Sequence, residues 1–324
     1  MFEIVPPGTK IDFISKWRVC MAASALLILL GALAIPVRGF RLGVDFAGGT
    51  EVQVRFEGDA PVDEGPIRAA LDGLGIEEPS VVRYGPEGAR EFLIRFRGGL
   101  DASDEKRTER LEQALEGAVG PLEVQRVEYV GPKVGAELRR AGIYSLALAF
   151  ALILVYVGFR FSPRFAPGAV VALVHDVLTT CAIWILLGLE FDLQVVAALL
   201  TIIGYSINDT IVIYDRIRET MELHTKVDLA DVINRSVNQT LSRTILTTGA
   251  TLLAVLALLT VPAVQSFALA MVFGMLSGVY STVYIASAIL LLLERRGGGG
   301  AGRAAAPGPA APRRGTGKGR SARP

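Results

Sequence analysis

The residue in this chain best placed to do chemistry is a carboxylate buried in an apolar run. Asn208-Asp209 falls within Leu193–Ile213, a stretch long enough to cross a bilayer. A charge in hydrocarbon costs roughly 2.5–3.5 kcal/mol on insertion scales, so an intramembrane acid points first to ion or proton handling. Helical spacing puts Thr201, Tyr205 and Asn208 on one face, with Asp209 one turn from Tyr205. A second pair, His175-Asp176, lies near the middle of Pro167–Leu189, with Thr179 and Thr180 one turn on. Arg243, followed by Thr244, Thr247, Thr248 and Thr251, opens the run Ile245–Val261.

Each group also has a plainer reading. Asp209 could reach the interface or make only a structural bond between helices. The His175-Asp176 pair fits a proton relay and a satisfied packing cluster equally. Arg243 could face Asp209 and reduce the cost of burying it ionised, or could snorkel to the membrane surface.

The elements that must position these residues are legible from hydropathy. The chain has 324 residues, 51% of them hydrophobic, and a mean hydropathy of +0.45, well above a soluble domain. Six runs are long enough to span: Val19–Val37, Ala141–Phe159, Pro167–Leu189, Leu193–Ile213, Ile245–Val261 and Phe267–Leu293. Pro36-Val37-Arg38 leads the first run straight on without a cleavage pattern, so it is expected to be a retained anchor. Lys10, Lys16 and Arg18 precede span one, Arg160 and Arg164 follow span two, and Arg216, Arg218, Lys226, Arg235 and Arg243 lie between spans four and five. Arg295 and Arg296 follow span six, whereas the connections Glu190–Asp192 and Pro262–Ser266 carry no basic residue. This bias places both termini in the cytoplasm and residues 38–137 outside, with Arg139-Arg140 running against it.

Residues 38–137 form a domain-sized insert. A strand is expected over Gly43–Phe56, a helix over Pro66–Leu74, strands at Val81–Tyr84 and Phe92–Phe96 around the turn Gly85–Gly88, a helix over Asp104–Ala118 and a strand over Leu122–Val130. The expected fold is thus a membrane α-helical bundle of six spans carrying an α+β insert of ferredoxin-like βαββαβ order. The divisions are 1–37 (cytoplasmic start and span one), 38–137 (insert), 138–296 (five spans with a cytoplasmic loop at 214–242) and 297–324. In the loop, Asp228 is a candidate N-cap and Val232, Ile233, Val237 and Leu241 form an apolar stripe. The Gly-, Ala-, Pro- and Arg-rich tail 297–324 cannot bury a core and reads as disordered; its basic charge would favour anionic lipid or ribosomal RNA, but a solvated tail is the favoured reading and no nucleic-acid partner is called for.

Several chemistries are not supported. Cys20 and Cys181, both inside spans, read as apolar fillers, and no Cys-based metal or disulfide pattern exists. No nucleophile–base pattern or phosphate loop occurs, and Gly43–Gly49 lacks dinucleotide-site spacing, so an enzyme is not expected and no cofactor is called for. Gly274 and Gly278, with Ser277, Ser281 and Ser287, read as close helix packing in span six.

Longer motifs carry a family resemblance. Gly43-Val-Asp-Phe-Ala-Gly-Gly-Thr50 resembles the signature shared by the SecD/SecF family, and Val130–Leu138 resembles the motif at the same place in that family. Val174-His-Asp176, Gly204–Glu219 and Ser242–Thr248 are similar to its later motifs in their SecF versions. The resemblance implies a subunit of the bacterial inner membrane that pairs with a separate SecD chain and couples proton motive force to late, ATP-independent preprotein translocation. It implies the SecY-SecE-SecG translocon, unfolded preprotein, membrane lipids and the accessory YajC as partners. Carried over, Asp209 and Arg243 are the proton-pathway acid and its basic partner, with His175, Asp176, Tyr205, Asn208 and Thr247 beside them; sodium is the alternative ion. Asp45, Phe46, Gly48 and Gly49 are the signature residues of the insert. Two rivals stand: a scaffold subunit whose polar residues only pack, and a small-molecule or lipid exporter of the same resistance-nodulation-division superfamily.

Overall fold

The computed structural model describes residues 5–297 apart from 7, 59–60, 77–78, 85–87, 89, 97–104 and 225–226. The expected tail beyond 297 and most of the Gly85–Gly88 turn therefore lie outside the described residues. Helix α1 (Trp17–Arg38) follows a 3-10 turn at Ile14–Lys16 and ends where Gly39 takes φ 74° and returns its N–H to the Ile35 carbonyl. A four-residue helix α2 (Val44–Ala47) precedes β1 (Gly49–Phe56), α3 (Glu64–Gly73), β2 (Ser80–Tyr84), β3 (Glu91–Phe96), α4 (Glu105–Val119) and β4 (Leu122–Val130).

Then come α5 (Pro132–Arg160), α6 (Ala166–Leu187), α7 (Leu193–Leu223), α8 (Leu229–Leu258), α9 (Gln265–Ser281), a π-helical turn (Thr282–Ala286) and α10 (Ser287–Gly297). Among the described residues six helical segments are long and apolar enough to cross a membrane.

The four strands form one antiparallel sheet in the order β2-β3-β1-β4. Alternation along β1 and β3 turns Val52, Val54, Phe56, Phe92 and Ile94 inward, where they meet Ile67 and Leu71 of α3 and Leu111 and Leu115 of α4. Asp63 starts α3 by accepting the Glu64 N–H at 2.8 Å.

Two expectations are corrected. The strand expected from Gly43 begins only at Gly49, because residues 44–47 wind into a helical turn closed by Phe46 N–H to Gly43 O at 3.0 Å. Gly48 and Gly49, at φ 76° and 145°, then swing the chain into the sheet; a Cβ on Gly49 would lie 2.5 Å from the Phe96 carbonyl oxygen. The connection expected at 214–242, helical in pieces, is helical, but its pieces continue the two spans, α7 running to Leu223 and α8 starting at Leu229. Tyr214, Ile217 and Thr220 bury against Val232, Ile233 and Ser236, which is enough apolar surface to keep both helices intact beyond the membrane. Val232, Ile233 and Val237 of the expected stripe are buried, and Asp228 takes the N-cap position without a side-chain bond.

In the bundle α6, α7 and α9 form the interior, with α1 and α5 on its flanks. Missing side chains set the closest approaches. A Cβ on Gly31 of α1 would sit 2.5 Å from the Ala182 Cβ of α6, and one on Gly274 of α9 would sit 2.1 Å from Ile202 Cδ1 of α7. The N-terminal segment docks on α8, where Asn234 Oδ1 accepts the Phe13 and Ile14 N–H groups and Asn238 bonds both backbone groups of Ile11.

Candidate functional site

Hydrophobic runs leave the helices few polar side chains, and packing decides which of these meet. Asp176, on the inner face of α6, is 1% exposed. Its Oδ2 accepts from Ser206 Oγ of α7 at 2.5 Å and Ser281 Oγ of α9 at 2.8 Å. Its Oδ1 accepts from Ser277 Oγ of α9 at 2.9 Å and lies 3.1 Å from His175 Nδ1. Four donors on two oxygens match the acceptor capacity of a carboxylate. The His175 ring meets both its neighbours in the Nδ1–H form, donating to Asp176 and accepting from Thr179 Oγ1 at 3.3 Å. The ring also stacks on Tyr280 at 5.9 Å, and the Tyr280 hydroxyl donates to the Cys20 carbonyl at 2.6 Å and accepts from Ser24, tying α1 to the same cluster.

Asp209 is built differently. It is 5% exposed, and among the described residues one hydrogen bond holds it: Thr248 Oγ1 of α8 donates to Oδ2 at 3.3 Å. Beside it lies a cavity of about 10 Å³ bounded by Tyr205, Ser206, Asp209, Thr248, Gly274 and Gly278. That volume is at the lower limit for one water. Thr244, one turn before Thr248, is buried with no hydrogen-bond partner for its hydroxyl among the described residues. The Tyr205 hydroxyl bonds the Thr251 hydroxyl and reaches the Thr247 carbonyl at 3.5 Å.

The sequence-identified residues therefore separate. Asp176, His175 and Asp209 point inward, Tyr205 is half-buried, and Asn208, Arg243 and Thr247 are exposed on the bundle surface. Asp209 and Arg243 form no ion pair among the described residues. Three serines were missed as site residues. Ser277 and Ser281 stand one turn apart on α9, a spacing that could have flagged a shared acceptor, and Ser206 lies inside a motif whose acid drew the attention. Ser206 is the one side chain that both bonds Asp176 and lines the Asp209 cavity.

The insert's signature residues form a joint with the helices. Phe46 is buried, Asp45 Oδ2 accepts the Leu193 N–H at the start of α7 at 3.0 Å, and the Gly43 N–H donates to Phe191 O at 2.8 Å. A Cβ on Gly48 would lie 3.1 Å from Pro132 Cα, so the chain passes α5 where only glycine fits.

The family model for the C-terminal part of the protein export membrane proteins SecD and SecF matches residues 110–296, and the SecD/SecF GG motif matches residues 33–60. This chain belongs to the SecD/SecF family. It is 40% identical to the protein translocase subunit SecF of Vibrio alginolyticus over 294 residues, covering 90% of this chain and 92% of that protein. It is 43% identical to the SecF of Magnetococcus marinus over 296 residues, covering 89% and 94% respectively. Among solved structures, SecDF from Thermus thermophilus, described as a translocon-associated membrane protein, superposes with a TM-score of 0.79 at 38% identity over 89% of this chain. A second SecDF structure, in a form called super-membrane-facing, gives 0.66 at 39% identity over 91% of this chain. The chain spans 39% and 40% of those two solved chains. It is thus a multi-pass membrane protein of the SecF kind, and the joint described above coincides with the family's GG motif.

Proposed function

We propose that this SecF-family chain pairs with SecD, assists the SecY-SecE-SecG translocon, and couples proton motive force to late, ATP-independent steps of preprotein export. The observation that carries the reading is the contrast between its two membrane acids. Asp176 is caged by four donors and works as a fixed polar clasp between α6, α7 and α9. Asp209 has one weak donor and a water-sized cavity, the surroundings an exchangeable proton requires.

In this reading Asp209 alternates between its neutral and ionised forms, with Arg243 supplying positive charge from the bundle surface. Tyr205, Asn208 and Thr247 border that route on α7 and α8. Loss or gain of charge at Asp209 changes its bond to Thr248 and so the seating of α8 on α7. Ser206 passes the change toward the clasp, since it touches both acids' surroundings. Each proton crossing about 100 mV releases roughly 2.3 kcal/mol, so a few turnovers bias domain motion with no nucleotide bound here. The charge bias of the loops supports cytoplasmic termini and an extracytoplasmic residue 38–137 segment. The strand order β2-β3-β1-β4 with two helices on one face supports a ferredoxin-like insert.

The test is proton uptake by right-side-out vesicles holding the chain with SecD, alongside late preprotein export in cells, for wild type and Asp209→Asn with complex assembly checked. Loss of uptake and of late export with intact assembly is expected. Undiminished uptake in the variant refutes the reading and leaves the scaffold role.

A further inference from the structure

An open cleft of about 630 Å³ lies between the root of the sheet domain and the α6–α7 turn. Among the described residues four guanidinium groups line it, Arg38, Arg41, Arg68 and Arg95, against the single carboxylate of Glu190. Their partners differ. Arg95 is neutralised twice, by Glu51 at 2.6 Å and Glu190 at 2.9 Å, and Arg68 shares Glu64 at 3.3 Å. Arg38 and Arg41 have no carboxylate partner among the described residues. Each instead donates one N–H to the carbonyl end of α6, Arg38 to Leu186 O at 2.5 Å and Arg41 to Gly188 O at 3.1 Å. A guanidinium has five donors, so most of each fork is still available.

The two cations are also held in place. The α6 carbonyls attract them through the negative end of the helix. Between them, Phe40 stacks on Phe191 with centroids 4.2 Å apart, and the Phe191 N–H donates to Arg41 O at 2.8 Å. Fixed arginines recognise phosphate by paired N–H bonds with little ordering cost. The depth selects the kind of phosphate. Arg38 ends a membrane-spanning helix, and beside the cleft Val37, Leu187 and Phe40 are 84%, 56% and 47% exposed. Cations above an open apolar flank match a phosphate headgroup with acyl chains below it. A soluble acidic peptide would leave that flank uncovered.

We propose that this cleft binds the phosphate headgroup of an anionic phospholipid drawn from the leaflet on the sheet-domain side, with Arg38 and Arg41 as its chief ligands. The proposal depends on the membrane-spanning architecture and not on which ion the chain carries, so either can fail alone.

The test uses the full chain reconstituted in nanodiscs of equal phosphatidylglycerol and phosphatidylcholine, with retained lipids counted by native mass spectrometry after transfer to detergent. Wild type should retain phosphatidylglycerol in preference. The pair Arg38→Gln, Arg41→Gln should lower that retention about tenfold. Arg55→Gln with Arg126→Gln, which removes the same charge from the sheet, should leave it unchanged. Glu190→Gln should raise retention, an arm that stands even if the double arginine variant fails to fold. In a further arm, about 10 mM inorganic phosphate should not displace the lipid. Equal loss in both arginine pairs, no rise with Glu190→Gln, or displacement by free phosphate would each overturn the lipid site.

Discussion

Converting each membrane acid to its amide should affect stability very unequally. In Asp176→Asn one carboxylate oxygen becomes an N–H₂ group, so two of the four donors around it lose their acceptor. Ser281 can fall back on the Gly278 carbonyl at 3.1 Å, which it already approaches. At least one buried donor is left stranded, costing about 1–3 kcal/mol. The surviving bonds also lose their charged acceptor, and interhelical hydrogen bonds in membranes are worth up to about 1.7 kcal/mol. The expected loss is about 2–4 kcal/mol. Asp209→Asn removes a buried carboxyl held by one donor at 3.3 Å, so stability should stay within about 1 kcal/mol of wild type. Reversible unfolding in mixed micelles, followed by far-UV circular dichroism against added dodecyl sulfate, measures both. Equal losses, or a larger one for Asp209→Asn, would refute the assignment of clasp and exchangeable acid.

Two more outcomes follow from the joint and the docked N-terminus. Gly49→Ala places a Cβ against the Phe96 carbonyl at φ 145° and should cost about 2 kcal/mol or more, read as faster amide exchange in β1 and β3. Gly73→Ala, at the end of α3 with nothing within 4 Å of the new Cβ, should leave that exchange unchanged. Backbone and side-chain bonds from Ser15 and Asn234 hold the Asp12 carboxyl below the ordinary value of 3.8. A lowered folded value means that the docking is fully supported above about pH 4 and weakens as pH falls through the lower value. Proteolysis of the segment before α1 should therefore speed up on acidification in wild type, and Asp12→Asn should flatten that dependence.

Much of the architecture was readable because a bilayer leaves the backbone few options. Each hydropathy run became a helix near its expected place, and the insert's strands and helices fell where the apolar alternation put them. The errors have local causes. Nothing in the residue types of 44–47 marks a helical turn; the chain must bend there to bring Gly48 past Pro132. Residues 214–242 read as helical in pieces, and what hydropathy hid is that a buried stripe on each helix joins those pieces to the spans. The site was legible as a set of acids but not as two environments. Asn208 and Asp209 are neighbours, and only the rotation of α7 decides that one is exposed and the other buried. The serines were hidden for a related reason: a hydroxyl barely lowers the hydropathy of a span, and its acceptor stands on another helix.

The joint between Gly43 and Phe191 brings the sheet domain onto the start of the helix that bears Asp209. α7 begins beside that joint, with its first N–H on Asp45 and the preceding Glu190 on Arg95 of the sheet. The start of α7 and the root of the sheet domain are therefore bonded side to side, so a change at this seam would disturb both at once.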